Sequence, residues 1–156
     1  MIPLKKELEH VNAYLELEKA RFEEKLQVEE EIPEGLSCTV PSFILQPIVE
    51  NAVKHGAMRG AGVGVVRIRA AQKKNEILIT VQDNGKGIPP KELPTLFDGS
   101  MKRNETPAGD GKRNMGLGLS VCMAIVRAHS GTMEAKNMGA GAEFSFLLPL
   151  SEEEPK

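Results

Sequence analysis

The sequence predicts an α/β domain, because helical and strand-like patterns of hydrophobicity alternate along it. Two segments carry apolar residues at three- and four-residue steps, and a third is apolar nearly all round, as expected for helices. Several other segments alternate apolar and polar residues, as half-buried strands do. At 156 residues, 40% of them apolar and 27% charged, the chain is long enough for one domain with a sizeable core.

The first part of the chain should hold two helices with a strand between them. Residues 4–26 combine helical apolar spacing with opposite charges one turn apart, and Pro3 suits the first turn. Residues 26–32 alternate apolar and acidic side chains, which favours a strand. A second helix starts near Ser42, and Pro47 in its interior predicts a kink or a late start. The side chains predicted to face inward are Phe43, Ile44, Ile48, Val49, Ala52 and Val53.

The rest of the chain predicts more strands and one more helix. Residues 63–71 and 76–82 alternate around a polar turn, which is a hairpin signal. Residues 117–129 are apolar nearly all round and predict a buried helix. Two further strands are expected at residues 131–135 and 142–148.

A long irregular stretch, residues 94–115, is rich in proline, glycine and basic residues and has almost no apolar periodicity. A loop of ~20 residues inside a compact domain is usually functional or disordered. The polar turns on both sides of it favour function, and we predict a lid.

Composition excludes several classes of protein. The net charge is −2 with both signs interleaved, and only 4% of residues are aromatic, so no nucleic-acid partner is predicted. No apolar run approaches ~20 residues and the N-terminus has no signal-peptide pattern, so no membrane contact by this domain is predicted. Cys38 and Cys122 lie far apart without CxxC spacing. They predict buried, reduced thiols of a cytoplasmic protein.

Polar residues on the second helix form the first candidate site. Helix interiors disfavour Asn, so Asn51 beside Glu50 needs a reason, which is either a solvated helix face or a ligand. An amide oxygen suits Mg²⁺, which also bridges phosphates. Lys54 and His55 follow one turn later and could reach phosphates. One of these two is expected to contact them, and the other could equally be a plain surface residue.

The second candidate site is the run Asp83-Asn84-Gly85-Lys86-Gly87-Ile88. Alone it is an ordinary turn signal. A carboxylate fixed beside a sharp turn can also accept a hydrogen bond from an exocyclic amine, so Asp83 is a candidate base-recognition residue. Gly85 and Gly87 would let the backbone approach the base, and Ile88 would form part of an apolar wall.

The third candidate site is the run Gly116-Leu117-Gly118-Leu119, which should open the buried helix. Free N–H groups and the positive dipole end of a helix can meet phosphate oxygens. Lys112 and Arg113 come just before it and add cations. Lys102 and Arg103 in the same loop either contact phosphate or form a solvated basic surface.

The order and spacing of the three stretches resemble the GHKL superfamily of ATPases and, within it, the catalytic domains of sensor histidine kinases. Residues 50–56 match the N box, residues 83–88 and 116–119 the two glycine boxes, and residues 96–98 are a candidate F box. Residues 8–22 look like the segment before the ATPase domain in LytS-type sensors. The resemblance implies a two-layer α/β sandwich, the Bergerat fold, with a mixed, mostly antiparallel sheet covered by helices on one face.

The resemblance also implies chemistry: Mg²⁺-dependent transfer of the ATP γ-phosphoryl group to a histidine. Glu50 would be the base or water-orienting carboxylate, Asn51 the Mg²⁺ ligand and Asp83 the adenine contact, and Lys54 joins the candidate catalytic residues. The expected cofactors are ATP and Mg²⁺. Because His10 looks like an ordinary helix residue, the phosphoacceptor should lie upstream in a dimerisation domain. Further implied partners are ATP or ADP and, indirectly, a response regulator receiver domain.

The implied organisation is a connecting helix (1–26), an ATP-binding catalytic domain (27–150) and an acidic tail (151–156), on the cytoplasmic side of a membrane-anchored sensor. Two alternatives remain. One is another GHKL enzyme, either an ATP hydrolase that uses Glu50 or an anti-sigma-type serine kinase. The other is a non-catalytic nucleotide-binding module.

Overall fold

The structure is a computed structural model that describes residues 1–56, 62–97, 110–139 and 141–150. The helices are α1 (Leu4–Phe22), α2 (Leu45–Asn51) and α3 (Asp110–Ala128), and a π-helical turn (Ala52–Gly56) continues α2. Short 3-10 helices cover Glu23–Lys25 and Leu93–Thr95. The strands are β1 (Ile2–Pro3), β2 (Leu26–Glu31), β3 (Thr39–Val40), β4 (Gly64–Lys73), β5 (Glu76–Asp83), β6 (Thr132–Asn137) and β7 (Ala142–Pro149).

Five strands form one mixed sheet in the order β2-β4-β5-β7-β6. Only β2 and β4 pair in parallel, and the other three pairs are antiparallel. A row of aligned residues, Ile68, Val81 and Phe144, is buried on one face together with apolar residues of the helices. Their neighbours on the other face are polar, and all but Thr80, which is 7% exposed, are at least partly exposed. The predicted mostly antiparallel α/β architecture is therefore confirmed.

Most predicted elements are present, and the late start of the second helix is confirmed. Pro47 is the third residue of α2, where its missing N–H has no intrahelical partner to lose. The inward position predicted for Phe43 is wrong. Phe43 precedes the helix, has a positive φ of 63° and is 63% exposed. The predicted start of this helix, near Ser42, is therefore too early, since α2 begins at Leu45.

The third helix begins at Asp110, seven residues earlier than predicted. The predicted loop 94–115 is therefore wrong at its C-terminal end, and residues 98–109 lie outside the described part of the chain. A glycine inside a helix costs only ~1 kcal/mol relative to alanine, so an anchored helix can extend through glycines. Gly116 and Gly118 therefore do not mark the start of the helix.

Helix α1 is part of the same core as the sheet. Its buried residues recur at helical spacing: Leu4, Glu7, Val11, Leu15 and Glu18. The strands β1 and β3 form a separate two-stranded ladder that the sequence did not predict, because two residues have no detectable periodicity. Cys38 and Cys122 are both buried and lie outside any disulfide bond, as predicted. Among the described residues, no helix is both long and apolar enough to span a membrane.

Candidate functional site

Three glycines pack backbone against backbone around Asp83, and we name this set, Gly56, Asp83, Gly85 and Gly141, the glycine junction. A methyl group on Gly56 would overlap the Asp83 carboxylate, and one on Gly85 would overlap the Gly56 carbonyl oxygen. A methyl group on Gly141 would overlap the Asp83 carbonyl oxygen. The end of the α2 segment, the end of β5 and the start of β7 therefore meet at distances that only glycine permits.

Asp83 is the charged group of the junction and is 4% exposed. Its Oδ1 accepts a hydrogen bond from the Gly85 N–H at 2.8 Å. Burial raises the pKa of Asp83 above its usual value of 3.8, and the backbone N–H groups of Gly85 and Ala142 partly offset that rise. The result is a fixed, buried acceptor suited to an amine donor.

Two asparagines hold the segment that follows Asp83. Asn84 accepts from the Val65 N–H at 2.8 Å and donates to the Val63 carbonyl oxygen at 2.9 Å. Asn137, at the end of β6, accepts from the Ile88 N–H at 2.6 Å and donates to the Ile88 carbonyl oxygen at 2.8 Å. These bonds fix residues 84–88 at both ends.

The first candidate run lies at the C-terminal end of α2, where Glu50, Asn51 and Lys54 form what we name the polar cluster. Asn51 is 7% exposed, and its Oδ1 has no hydrogen-bond partner among the described residues. A buried unpaired acceptor costs ~1–3 kcal/mol, so this oxygen fits the ligand role predicted for it. No group of three acidic, His or Cys side chains within the described ranges could hold a metal ion. Mg²⁺ here would thus take Asn51 together with phosphate and water oxygens.

The neighbours of Asn51 differ in exposure. Glu50 is half-buried, and its Oε2 accepts from the Gln46 side-chain amide at 3.0 Å. Lys54 is exposed and can turn toward a ligand. The His55 backbone lies in the π-helical turn, and its side chain lies outside the described part.

The third candidate run is not at a helix start. Because α3 begins at Asp110, Gly116, Leu117 and Gly118 lie inside the helix, and the predicted set of free N–H groups at Gly116 is wrong. Leu119 is 1% exposed and belongs to the core. The side chains of residues 110–118, including Lys112 and Arg113, lie outside the described part, as do Lys102 and Arg103 entirely.

The structure brings some of the predicted residues together. Asp83 and Gly85 meet the end of the helical segment that carries Asn51, and Gly87 has a positive φ of 85°. Ile88 is half-buried and packs against the core. Sequence analysis missed Gly141 and Asn137, which are distant in the chain, and gave Gly56 no role beyond its place in the N box match.

The chain matches the sequence profile of the histidine kinase-, DNA gyrase B- and HSP90-like ATPases over residues 41–152. It is 35% identical over 148 residues to the sensor histidine kinase YpdA of Escherichia coli strain K12, covering 95% of this chain and 24% of that protein. It is 33% identical over 153 residues to the sensor protein LytS of Bacillus subtilis strain 168, covering 97% and 25%. The chain thus spans about a quarter of the length of these curated relatives.

Solved structures share the fold at low sequence identity. The nucleotide-free catalytic domain of the histidine kinase ThkA aligns over 94% of this chain and 91% of its own, with a TM-score of 0.71 at 22% identity. ThkA in complex with the response regulator protein TrrA aligns over 97% of this chain and 42% of its own, with a TM-score of 0.72 at 20% identity. At such identities the likeness concerns the fold.

Proposed function

The chain belongs to the family of histidine kinase-, DNA gyrase B- and HSP90-like ATPases, and from this premise we propose that it is the ATP-binding catalytic domain of a sensor histidine kinase. The relatives that support this are named sensor histidine kinase and sensor protein. The reaction is transfer of the ATP γ-phosphoryl group to a histidine imidazole in an upstream dimerisation domain. A response regulator receiver domain then takes the phosphoryl group.

One observation supports the nucleotide site most strongly. The helical segment that carries Asn51, whose buried Oδ1 has no hydrogen-bond partner in the described part of the chain, ends at Gly56, against which the Asp83 carboxylate packs. The proposed metal ligand and the proposed base-recognition carboxylate are therefore linked by direct packing within the fold. This is the arrangement that a nucleotide with a base at one end and Mg²⁺-bound phosphates at the other requires.

Each residue then has a task. Asp83 accepts from the adenine 6-amino group, and Gly85, Gly87 and Ile88 line the base. When bound, Mg²⁺ neutralises phosphate charge, and Asn51 is its ligand from this chain. Glu50, oriented by Gln46, is the candidate base.

Further residues contact the phosphates in this proposal: Lys54 or His55, together with Lys112 and Arg113. The segment from Gly116 to Leu119 has no phosphate role in it, because its backbone lies inside α3 and the Leu119 side chain is in the core. The domain division at residues 26 and 150, and a cytoplasmic site of action beside a membrane-anchored sensor, are part of the same proposal.

Two measurements test the proposal. Calorimetry should give at least about tenfold tighter binding of ATP than of GTP, because guanine lacks the 6-amino donor. With γ-labelled ATP, label should pass to a supplied histidine-containing acceptor domain as acid-labile phosphate, and the isolated chain should remain unlabelled. Equal affinity for the two nucleotides would remove the adenine role. Release of inorganic phosphate without transfer would favour the hydrolase alternative.

A further inference from the structure

A carboxylate on α1 binds the start of α2. Glu7 is fully buried. Its Oε1 accepts from the Phe43 N–H at 3.1 Å and its Oε2 from the Leu45 N–H at 2.9 Å. Both oxygens of a buried acid are therefore used on backbone groups that lie 36 and 38 positions away in the chain.

These bonds replace a missing local cap. The N-cap of α2 is Ile44, which has no side chain able to accept a hydrogen bond. The first N–H groups of a helix have no partner within it and carry partial positive charge. Glu7 supplies charge-assisted acceptors to the N–H of Leu45, the first helical residue, and to the N–H of Phe43 just before the N-cap. Such hydrogen bonds are stronger than neutral ones.

The same turn is also held from the other side. The Cys122 thiol of α3 donates to the Ile44 carbonyl oxygen at 3.4 Å. Phe43, in its left-handed conformation, stacks on His10 of α1 with ring centroids 6.0 Å apart. Residues of both α1 and α3 thus contact the start of α2.

The far end of the same helical segment is fixed as well, because Gly56 packs against Asp83. Asn51 lies between these two anchors on a segment of only seven α-helical and five π-helical residues. We infer that Glu7 is a positioning residue for the nucleotide site, which sets through α2 the place of the Asn51 oxygen. This inference rests on the proposed function, since Asn51 matters only if it binds Mg²⁺.

The test measures nucleotide affinity with Mg²⁺ and with EDTA in its place. In Glu7→Gln the amide can accept at one atom only and presents a donor to the second N–H. We expect the gain in ATP affinity on adding Mg²⁺ to fall about fivefold or more, and the affinity in EDTA to stay within about twofold of wild type. Glu16→Gln is the matched control, because Glu16 lies on α1 with its side chain 74% exposed. Glu16→Gln should have the ATP affinity of the wild type both with Mg²⁺ and with EDTA.

The outcomes separate the explanations. A lowered melting temperature with an unchanged Mg²⁺ effect would make Glu7 a structural cap only and overturn the inference. If Glu7→Gln fails to fold, Glu7→Asp decides, since it keeps the charge but is one methylene shorter. A reduced Mg²⁺ effect in that variant supports the inference, and a wild-type effect overturns it. If Mg²⁺ does not change the ATP affinity of the wild-type chain, the metal site of the proposed function is wrong, and the inference fails with it.

Discussion

The glycine junction and the polar cluster are neighbours on one short helical segment, and they are built differently. In the junction, backbone atoms touch and the Asp83 carboxylate has backbone partners within the fold. In the polar cluster, the Asn51 oxygen is buried without a partner among the described residues, and Lys54 is exposed. The glycine packing of the junction is complete without a ligand, whereas the polar cluster contains an acceptor oxygen that a ligand could still use.

The difference teaches where binding energy and folding energy are located. A junction made from close packing is sensitive to any added atom, because protein interiors do not yield easily. A cluster with unsatisfied groups weakens the ligand-free fold and gains when the ligand arrives. Substitutions of the junction glycines should therefore mainly lower stability, whereas substitutions in the polar cluster should mainly lower ligand binding.

The largest expected effect is on stability, from Gly141→Ala. Gly141 has a φ of 88°, and an added methyl group would meet the Asp83 backbone. Strain and overpacking together should lower the free energy of unfolding by ~3 kcal/mol or more. Gly139→Ala is the matched control, since nothing lies within 4 Å of its added methyl group. Urea unfolding measures both, and equal stability of the two variants would contradict the close packing.

Next in size is the loss of nucleotide binding in Asp83→Asn. The amide would present a donor where the adenine amine also donates, so ATP affinity should fall by ~1.5–3 kcal/mol, or about 10- to 150-fold. Glu76→Gln, on the same strand but exposed, is the control and should bind as wild type. Calorimetry with ATP decides, and unchanged affinity in Asp83→Asn would remove the base-recognition role.

A smaller effect on ATP affinity is expected for Asn51→Ala. The contribution of Mg²⁺ to ATP affinity should be lost, whereas binding in EDTA should persist because the junction is intact. Phosphoryl transfer to a supplied acceptor domain should be abolished. Asn75→Ala, in the exposed turn between β4 and β5, controls for the loss of an amide. Wild-type transfer rates in Asn51→Ala would refute the metal role.

The same Asp83→Asn variant should show a modest pH effect on stability. Folding raises the pKa of Asp83, chiefly by burial. The stabilisation is therefore fully present below the unfolded pKa of 3.8 and is lost as pH rises through the higher folded pKa. Between about pH 4 and about pH 7, Asp83→Asn should become more stable relative to wild type. Unfolding curves at several pH values, with Glu76→Gln beside them, test this. Parallel pH profiles would contradict it.

The smallest effect is expected for Tyr14→Phe, near the polar cluster. The Tyr14 hydroxyl is buried without a partner among the described residues. Burial raises the pKa of Tyr14, with smaller contributions from Glu18 and Glu50. Removing the hydroxyl should lower the free energy of unfolding by ~0.5 kcal/mol or less, or should raise it. A loss above ~1 kcal/mol would reveal a hydrogen bond that the structure does not contain.

The sequence predicted the elements and the residues whose chemistry is local. Strand alternation placed β4 and β5, and a carboxylate next to a glycine turn identified Asp83. It could not show that Asn137 bonds Ile88, 49 positions away, because nothing in a local pattern reports a distant partner. The sequence places the start of α3 too late because Gly116 suggests a helix start, although packing can outweigh the low helix propensity of glycine.

Glu7 shows the same limit from another direction. A glutamate on an amphipathic helix reads as solvent-facing, since fully buried carboxylates are rare. Only the position of α2 explains its burial. The buried residues Val11 and Leu15 of the same helix are apolar and fit the helical spacing predicted for residues 4–26.

The contact between Glu7 and the start of α2 also bears on where the folding unit begins. The family match starts at residue 41, yet the carboxylate that caps α2 and the edge strand β2 both lie before that point. A polypeptide cut at residue 41 would keep the nucleotide residues but leave Ile44 and Leu45 without their α1 cover. Helix α1 therefore shares a core with the part of the chain that the family match covers, and its removal would expose apolar residues of that core.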